Sequence, residues 1–141
     1  MAGTKYGKYL MREPHAKLWP QVPIYVDASL NEGITCDIVF NVRTEPGNDG
    51  HEAHSHDVDE YLFFLGGDPT DYMDFSAEIE ICLGRGEDQE THIINTATVL
   101  YIPKGLVHLP WDFKRVDKPI ITGHILLAPG FKDHNFPAGP G

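Results

Sequence analysis

Period-two alternation of apolar and polar side chains, stopped each time by glycine, proline or aspartate, governs most of this chain. Ala77-Glu78-Ile79-Glu80-Ile81-Cys82-Leu83 alternates without a break and ends at Gly84-Arg85-Gly86-Glu87-Asp88. Ile34-Thr35-Cys36-Asp37-Ile38-Val39-Phe40 follows the same period, broken only by Val39, which predicts a strand with Cys36 packed in the core. Residues 60–65 are aromatic-rich and end at Gly66-Gly67-Asp68-Pro69, a strong turn signal. Residues 90–94, 98–102 and 120–127 read as further strands. Residues 22–27 make an edge strand, because Pro20 and Pro23 cannot serve a central ladder. A helix fits only over residues 4–13, where Pro14 would stop it. Short strands between tight turns predict an all-β chain, a barrel or sandwich over residues 22–128. Residues 1–20 form an N-terminal arm, and the Pro/Gly-rich residues 129–141 form a tail, loose or laid over the barrel.

The length of 141 residues suits one domain with a real core, and 41% hydrophobic residues exclude a disordered chain. No apolar run approaches the ~20 residues that span a bilayer. Residues 1–10 lack an apolar signal segment, so a cytoplasmic chain with no membrane partner is expected. Cys36 and Cys82 belong to no metal or disulfide spacing pattern and are expected as thiols. A net charge of −10 argues against nucleic acid, which needs a basic footprint. That charge is unevenly placed. Lys5, Lys8, Arg12 and Lys17 face only Glu13 within residues 1–17, whereas residues 45–90 hold fourteen acids against Arg85. The arm could dock on a partner's acidic face, or be solvated like any charged surface.

Three of the eight histidines fall in Gly50-His51-Glu52-Ala53-His54-Ser55-His56. On a strand His54 and His56 share a face, so both imidazoles can reach one metal ion. A bend at Asp57-Val58-Asp59 can return the Glu60 carboxylate to the same ion. Far along the chain, Pro103-Lys104-Gly105 makes a turn and His108 follows on the next strand. Three imidazoles and a carboxylate suit one divalent Fe, Mn, Ni, Zn or Cu ion. They leave coordination positions open, as catalysis requires.

The two elements resemble the paired motifs of the cupins. In that family the first motif reads Gly, five residues, His-x-His, three or four residues, Glu, six residues, Gly. Here His54-Ser55-His56 is followed by three residues, Glu60, six residues and Gly67. The second motif reads Gly, five residues, Pro-x-Gly, two residues, His, three residues, Asn. Here Pro103-Lys104-Gly105 is followed by two residues and His108. Asn48, Ala97 and Asp112 stand where the family has glycine, glycine and asparagine. The resemblance covers roughly residues 34–128. It implies a cupin double-stranded β-helix, or jelly roll, of the small single-domain conserved-barrel type. It also implies a metal held by His54, His56, Glu60 and His108, and a homodimer.

The substrate side carries less signal. Leu62 and Phe64 share the phase of Glu60 and should line an apolar cavity. Tyr101, Trp111, Phe113 and Arg115 flank the second element, where Arg115 or Lys104 could hold a carboxylate. Asp112 shares the phase of His108 on a regular strand, as a general base, as the orienter of a ligand imidazole, or as a turn residue. Glu60 is the other candidate acid–base group. His51 lies beside the ligand set. His124 is out of phase with Ile121 and Ile125, and faces either the cavity or solvent; His15, His92 and His134 carry no spacing argument. The favoured reading is a metal-dependent enzyme on a small organic substrate: an oxygenase, a lyase or decarboxylase, or an isomerase. A non-catalytic metal-containing binding or sensor module is the alternative, followed by an assembly or storage barrel.

Overall fold

A computed structural model of the chain describes residues 4–14, 23–128 and 135–137. Its strands, in chain order, are β1 (Ile24–Val26), β2 (Asp37–Arg43), β3 (His54–His56), β4 (Glu60–Gly66), β5 (Ala77–Leu83), β6 (Glu90–Ile94), β7 (Thr98–Ile102), β8 (His108–Val116), β9 (Ile120–Leu126) and β10 (Asn135–Pro137). They form two five-stranded antiparallel sheets, in the orders β1-β2-β9-β4-β7 and β10-β3-β8-β5-β6. Sequence neighbours mostly lie in opposite sheets, which is jelly-roll topology and the predicted all-β class. Among the described residues no helix is long and apolar enough to cross a membrane.

The core lies between the sheets. Leu62 and Phe64 from β4, Ile79 and Ile81 from β5, Phe113 from β8 and Ile120 from β9 are buried together. The alternation over 77–83 therefore reads correctly, with Ala77, Ile79 and Ile81 inward.

In β2 the phase is the reverse of the expectation. Asp37 and Val39 are buried, whereas Phe40 is exposed and Ile38 half-buried. The reason is that the outer face of this sheet is also apolar, so hydrophobic periodicity could not tell in from out. Register carries that outer face across all five strands. Ile24, Phe40, Gly123, Phe63 and Val99 make one row, and Val26, Ile38, Ile125, Tyr61 and Tyr101 the next. Val42, Ile121 and Leu65 begin a third. Phe40 and Phe63 meet across Gly123 with ring centroids 5.1 Å apart. Cys36 falls on the outward phase just before β2 and is half-buried, not a core residue as expected. Cys36 and Cys82 are both free thiols, as expected.

The helix expected over residues 4–13 is a single 3-10 turn, Gly7–Tyr9, started by a hydrogen bond from Gly7 N–H to Thr4 Oγ1. A glycine inside so short a segment leaves too little propensity for an α-helix. Pro14 O accepts from Tyr25 N–H, tying the arm to β1. In the C-terminal tail, β10 lies on β3, pairing Asn135 with His56 and Pro137 with His54. His15, Lys17 and His134 lie outside the described residues.

Candidate metal centre

His54 and His108 are direct cross-strand partners in β3 and β8. His56, two residues along, shares the face of His54. The Pro103–Leu106 turn is closed by Leu106 N–H on Pro103 O, and Gly105, with φ +85°, sends its N–H to His56 O. That bond ties the two histidine-bearing elements together. The three imidazoles offer nitrogens all within 4.8 Å of one another. After the bend at residues 57–59, Glu60 opens β4 with its carboxylate inward. Its Oε1 lies 3.3 Å from His56 Nε2 and 3.1 Å from His108 Nε2, and all three side chains are nearly fully buried.

Backbone carbonyls fix two of the ring tautomers. A carbonyl only accepts, so His54 Nδ1–H donates to Glu52 O at 2.7 Å and His108 Nδ1–H to Leu106 O at 3.0 Å. Their Nε2 atoms then carry lone pairs, as metal ligation requires. His108 Nε2 and Glu60 Oε1 thus face each other as two acceptors. Only a shared cation, a proton or a metal ion, relieves that contact. The donor set fits a divalent ion on this ground.

Burial pushes the Glu60 carboxyl upward, but the close nitrogens of His108 and His56, with the field of His124, outweigh it and hold the group down at about 2. Burial lowers His54 below the ordinary histidine value, as do the neighbouring imidazoles of His108 and His56. Both shifts favour the forms that bind metal: carboxylate and neutral imidazole.

The site opens on a cavity of about 430 Å³ between the sheets, lined by Leu62, Leu109, Trp111, Phe113 and His124 among others. His51 stands at its rim, its ring edge-on to Trp111.

Neither a family model nor a curated protein matches the sequence. Solved structures match its shape. A tryptophan-to-phenylalanine variant of oxalate decarboxylase from Bacillus subtilis superposes with a TM-score of 0.54 and 13% identity, over 81% of this chain and 27% of that one. The structure of the Bacillus subtilis enzyme at pH 4.6 gives 0.54 and 13%, over 80% and 26%. A structure of the same enzyme concerned with its Mn(II) centers gives 0.53 and 14%, over 76% and 26%. This chain spans about a quarter of the length of those chains. The fold is that of a cupin.

Within the cupin barrel His54, His56, Glu60 and His108 converge, and Leu62, Trp111 and Phe113 line the cavity, whereas Phe64, expected beside Leu62, is buried in the core and is not among the lining residues. His124 faces inward on β9, its Nε2–H donating to Asp37 Oδ1 at 2.8 Å and its Nδ1 lying 4.0 Å from Glu60 Oε2. Other expectations need correction. Asp112 points outward, opposite Glu80 in the register, with its carboxylate 2.9 Å from Lys114 Nζ. The alternation from His108 breaks at Leu109, where φ is +73°, and the β5–β8 register shifts between Ile81 and Leu83. No general-base or ligand-orienting role for Asp112 survives that geometry. Tyr101 is on the outer sheet face, its hydroxyl donating to Asp59. Arg115 pairs with Asp117 on the surface, and Lys104 is exposed in the turn.

The cation at the cavity wall is Arg43, which sequence reasoning passed over. Its Nη1 donates to Asp49 Oδ1 and Oδ2 at 2.6 and 2.7 Å, its Nε to Glu45 O and its Nη2 to Gly47 O. The guanidinium carbon lies 3.9 Å above the Phe113 ring. The signal was the polar set Asp37, Asn41 and Arg43, which shares one phase with Val39 and is the inward one.

Proposed function

We propose that this chain is a mononuclear metal-dependent cupin enzyme acting on a small organic substrate, with His54, His56, Glu60 and His108 holding one divalent Fe, Mn, Ni, Zn or Cu ion. The observation that supports it is the facing of His108 Nε2 and Glu60 Oε1 at 3.1 Å, beside two further imidazoles, at the wall of a cavity large enough for a small molecule. When bound, the metal supplies Lewis acidity toward a substrate oxygen. The chain's own residues do the rest. Glu52 O and Leu106 O hold His54 and His108 in the ligating tautomer. Leu62, Leu109 and Phe113 give the cavity an apolar wall that strengthens electrostatic contacts inside it. His124, held by Asp37, presents its Nδ1 on the cavity side of Glu60, where it can accept or return a proton. Oxygenase, lyase or decarboxylase, and isomerase chemistry all use such a site.

Elemental analysis of protein purified without chelator tests the metal. About one divalent ion per chain is expected for the native protein, and a large loss in His54→Ala and His108→Ala. Turnover is tested by loading the metal-free protein with each ion in turn and following oxygen uptake, carbon dioxide release and substrate loss across small carboxylic acids, diketones and sugars. Stoichiometric metal without turnover on any of them would favour the binding or sensor module.

A further inference from the structure

We propose that Asn41 and Thr122 form the far end of the substrate site. There they read an uncharged oxygen, a phenol hydroxyl or a carbonyl, on a small aromatic compound whose other end faces the histidine cluster. The proposal deepens the metal-enzyme reading and rests on it for that other end alone.

Asn41 and Thr122 are cross-strand partners in β2 and β9. Both belong to the inward phase. Val39 and His124 make the next inward row toward the cluster, and Asp37, Leu126 and Glu60 the row after it. Residues two apart on a strand are about 6.6 Å apart, so the pair lies about 13 Å along the sheet from the Glu60 row. Both side chains line the cavity. Thr122 is only 6% exposed, and among the described residues its hydroxyl meets no hydrogen-bond partner. Asn41 Oδ1 accepts from Val42 N–H at 3.0 Å, which leaves the amide Nδ2 as its free end. A buried hydroxyl beside a free amide, neither matched by the protein, calls for a partner from outside. Small-molecule sites are built in this way, mostly apolar with a few polar groups that fix orientation.

The rest of the cavity decides what carries that oxygen. Leu62 lines the same sheet, and on the facing sheet the rings of Trp111 and Phe113 stand edge to face, 5.2 Å apart. An aromatic ring packs well against such a wall. A dry cavity of about 150 Å³ already admits benzene, and this one holds about 430 Å³, enough for a ring with a group at each end. A sugar carries hydroxyls on every side and would leave most of them unpaired against Leu62, Leu109 and Phe113. A carboxylate is no better suited to the far end. Arg43, the next inward residue of β2, has its charge met by Asp49 in contacts of 2.6 and 2.7 Å, and Asp49 itself lines the cavity. A second anion there would lack a counter-charge. An amide that donates and a hydroxyl that donates or accepts suit an uncharged oxygen.

Isothermal titration of the metal-free and Zn(II)-loaded full chain with 4-hydroxyacetophenone, acetophenone and 4-acetylbenzoate tests it. The three share a ring and a ketone, and differ in carrying a hydroxyl, nothing or a carboxylate at the opposite end. The hydroxyl compound is expected to bind about 10-fold tighter than acetophenone, the worth of one well-made hydrogen bond, and tighter than the carboxylate. Thr122→Val, which keeps the side-chain shape, and Asn41→Leu are each expected to reduce that preference to about twofold or less, with acetophenone affinity little changed. Equal affinity of the native protein for the hydroxyl compound and acetophenone would overturn the proposal. So would a preference that survives both substitutions, a carboxylate bound as tightly as the hydroxyl compound, or no saturation by any of the three up to about 10 mM. The comparison on the native protein needs no variant, so a variant that fails to fold leaves the proposal open to refutation. All three probes bring an uncharged ketone to the cluster, so their ranking is read with or without metal. Zn(II) that tightens none of them would count against the metal reading, and the ranking would still decide the role of Asn41 and Thr122.

Discussion

His108 Nε2 and Glu60 Oε1 stand 3.1 Å apart, both as acceptors once His108 Nδ1 donates to Leu106 O. An arrangement of this kind is stable only around a cation, so removing either partner should abolish the need for one. Glu60→Gln and His108→Ala are each expected to weaken divalent metal binding beyond the ~10–100-fold that loss of a ligand-orienting contact costs. Glu60→Gln should also lower the stability of the metal-free protein at neutral pH, because the amide gives up the stabilisation that the carboxylate draws from His108, His56 and His124. Isothermal titration with Mn(II) and Zn(II), beside urea denaturation of the metal-free forms, checks both parts. Native affinity in both variants would remove this pair from the site.

The pH dependence follows from two shifts of the same sign. Glu60 is held at about 2 against an ordinary 4.5, so the folded metal-free protein binds fewer protons there than the unfolded chain. Its contribution is complete above 4.5 and is lost as pH falls toward 2. His54 is lowered from 6.5, so the unfolded chain again takes up its proton first, and stability declines as pH falls through 6.5. Metal-free protein should therefore lose stability at each step from pH 8 to 5 to 3. Because His54 stays neutral below the ordinary value, bound metal should persist somewhat below pH 6.5 before protons displace it. Urea midpoints rising on acidification would contradict the first expectation. Metal occupancy indifferent to pH between 8 and 4 would contradict the second.

Much of this was legible in the sequence. Strands β5, β6 and β7 begin and end where alternation and turn residues place them, because the Gly84–Asp88 and Asn95–Ala97 breaks are unambiguous. Among the ligand candidates, the phase of His54 and His56 needed only the geometry of a strand. What sequence could not give was the sidedness of a sheet apolar on both faces, hence the reversal in β2 and the neglect of Arg43 and Asp37. Nor could it foresee the register shift in β8, which turns Asp112 away from His108. A pattern of period two fixes relative phase, and it loses even that across a bulge.

Gly123 offers a stability test of the sheet. A Cβ there would fall 2.1 Å from Val39 O and 2.6 Å from the Phe63 ring. The backbone oxygen cannot swing aside without breaking the β2–β9 ladder. Gly123→Ala is expected to cost about 2–3 kcal/mol, at the upper range of overpacking. Urea denaturation read by dichroism measures it, and a loss under ~0.5 kcal/mol, the ordinary surface range, would show that the strands do not approach so closely.

Arg43 joins the cavity wall to the loop that delivers His54. Its guanidinium closes on Asp49, Glu45 O and Gly47 O, and stacks over Phe113. Gly47 in turn exchanges two backbone hydrogen bonds with Phe113, each 3.0 Å. The loop between β2 and β3 is therefore clamped to β8 at its midpoint, a few residues before the first ligand. Lysine keeps the charge but not the fork of donors or the planar stack. Arg43→Lys is expected to cost about 1–2 kcal/mol, most of what Arg43→Ala costs, because hydrogen bonding and stacking are lost in both. Loosening the clamp should also weaken metal binding by roughly 10-fold through His54, without removing any ligand. Denaturation of the metal-free variants and metal titration of the native and Arg43→Lys proteins measure the two effects separately. If Arg43→Lys matched the native protein in both, charge alone would account for the residue, and the loop would owe its place to the Gly47–Phe113 bridge.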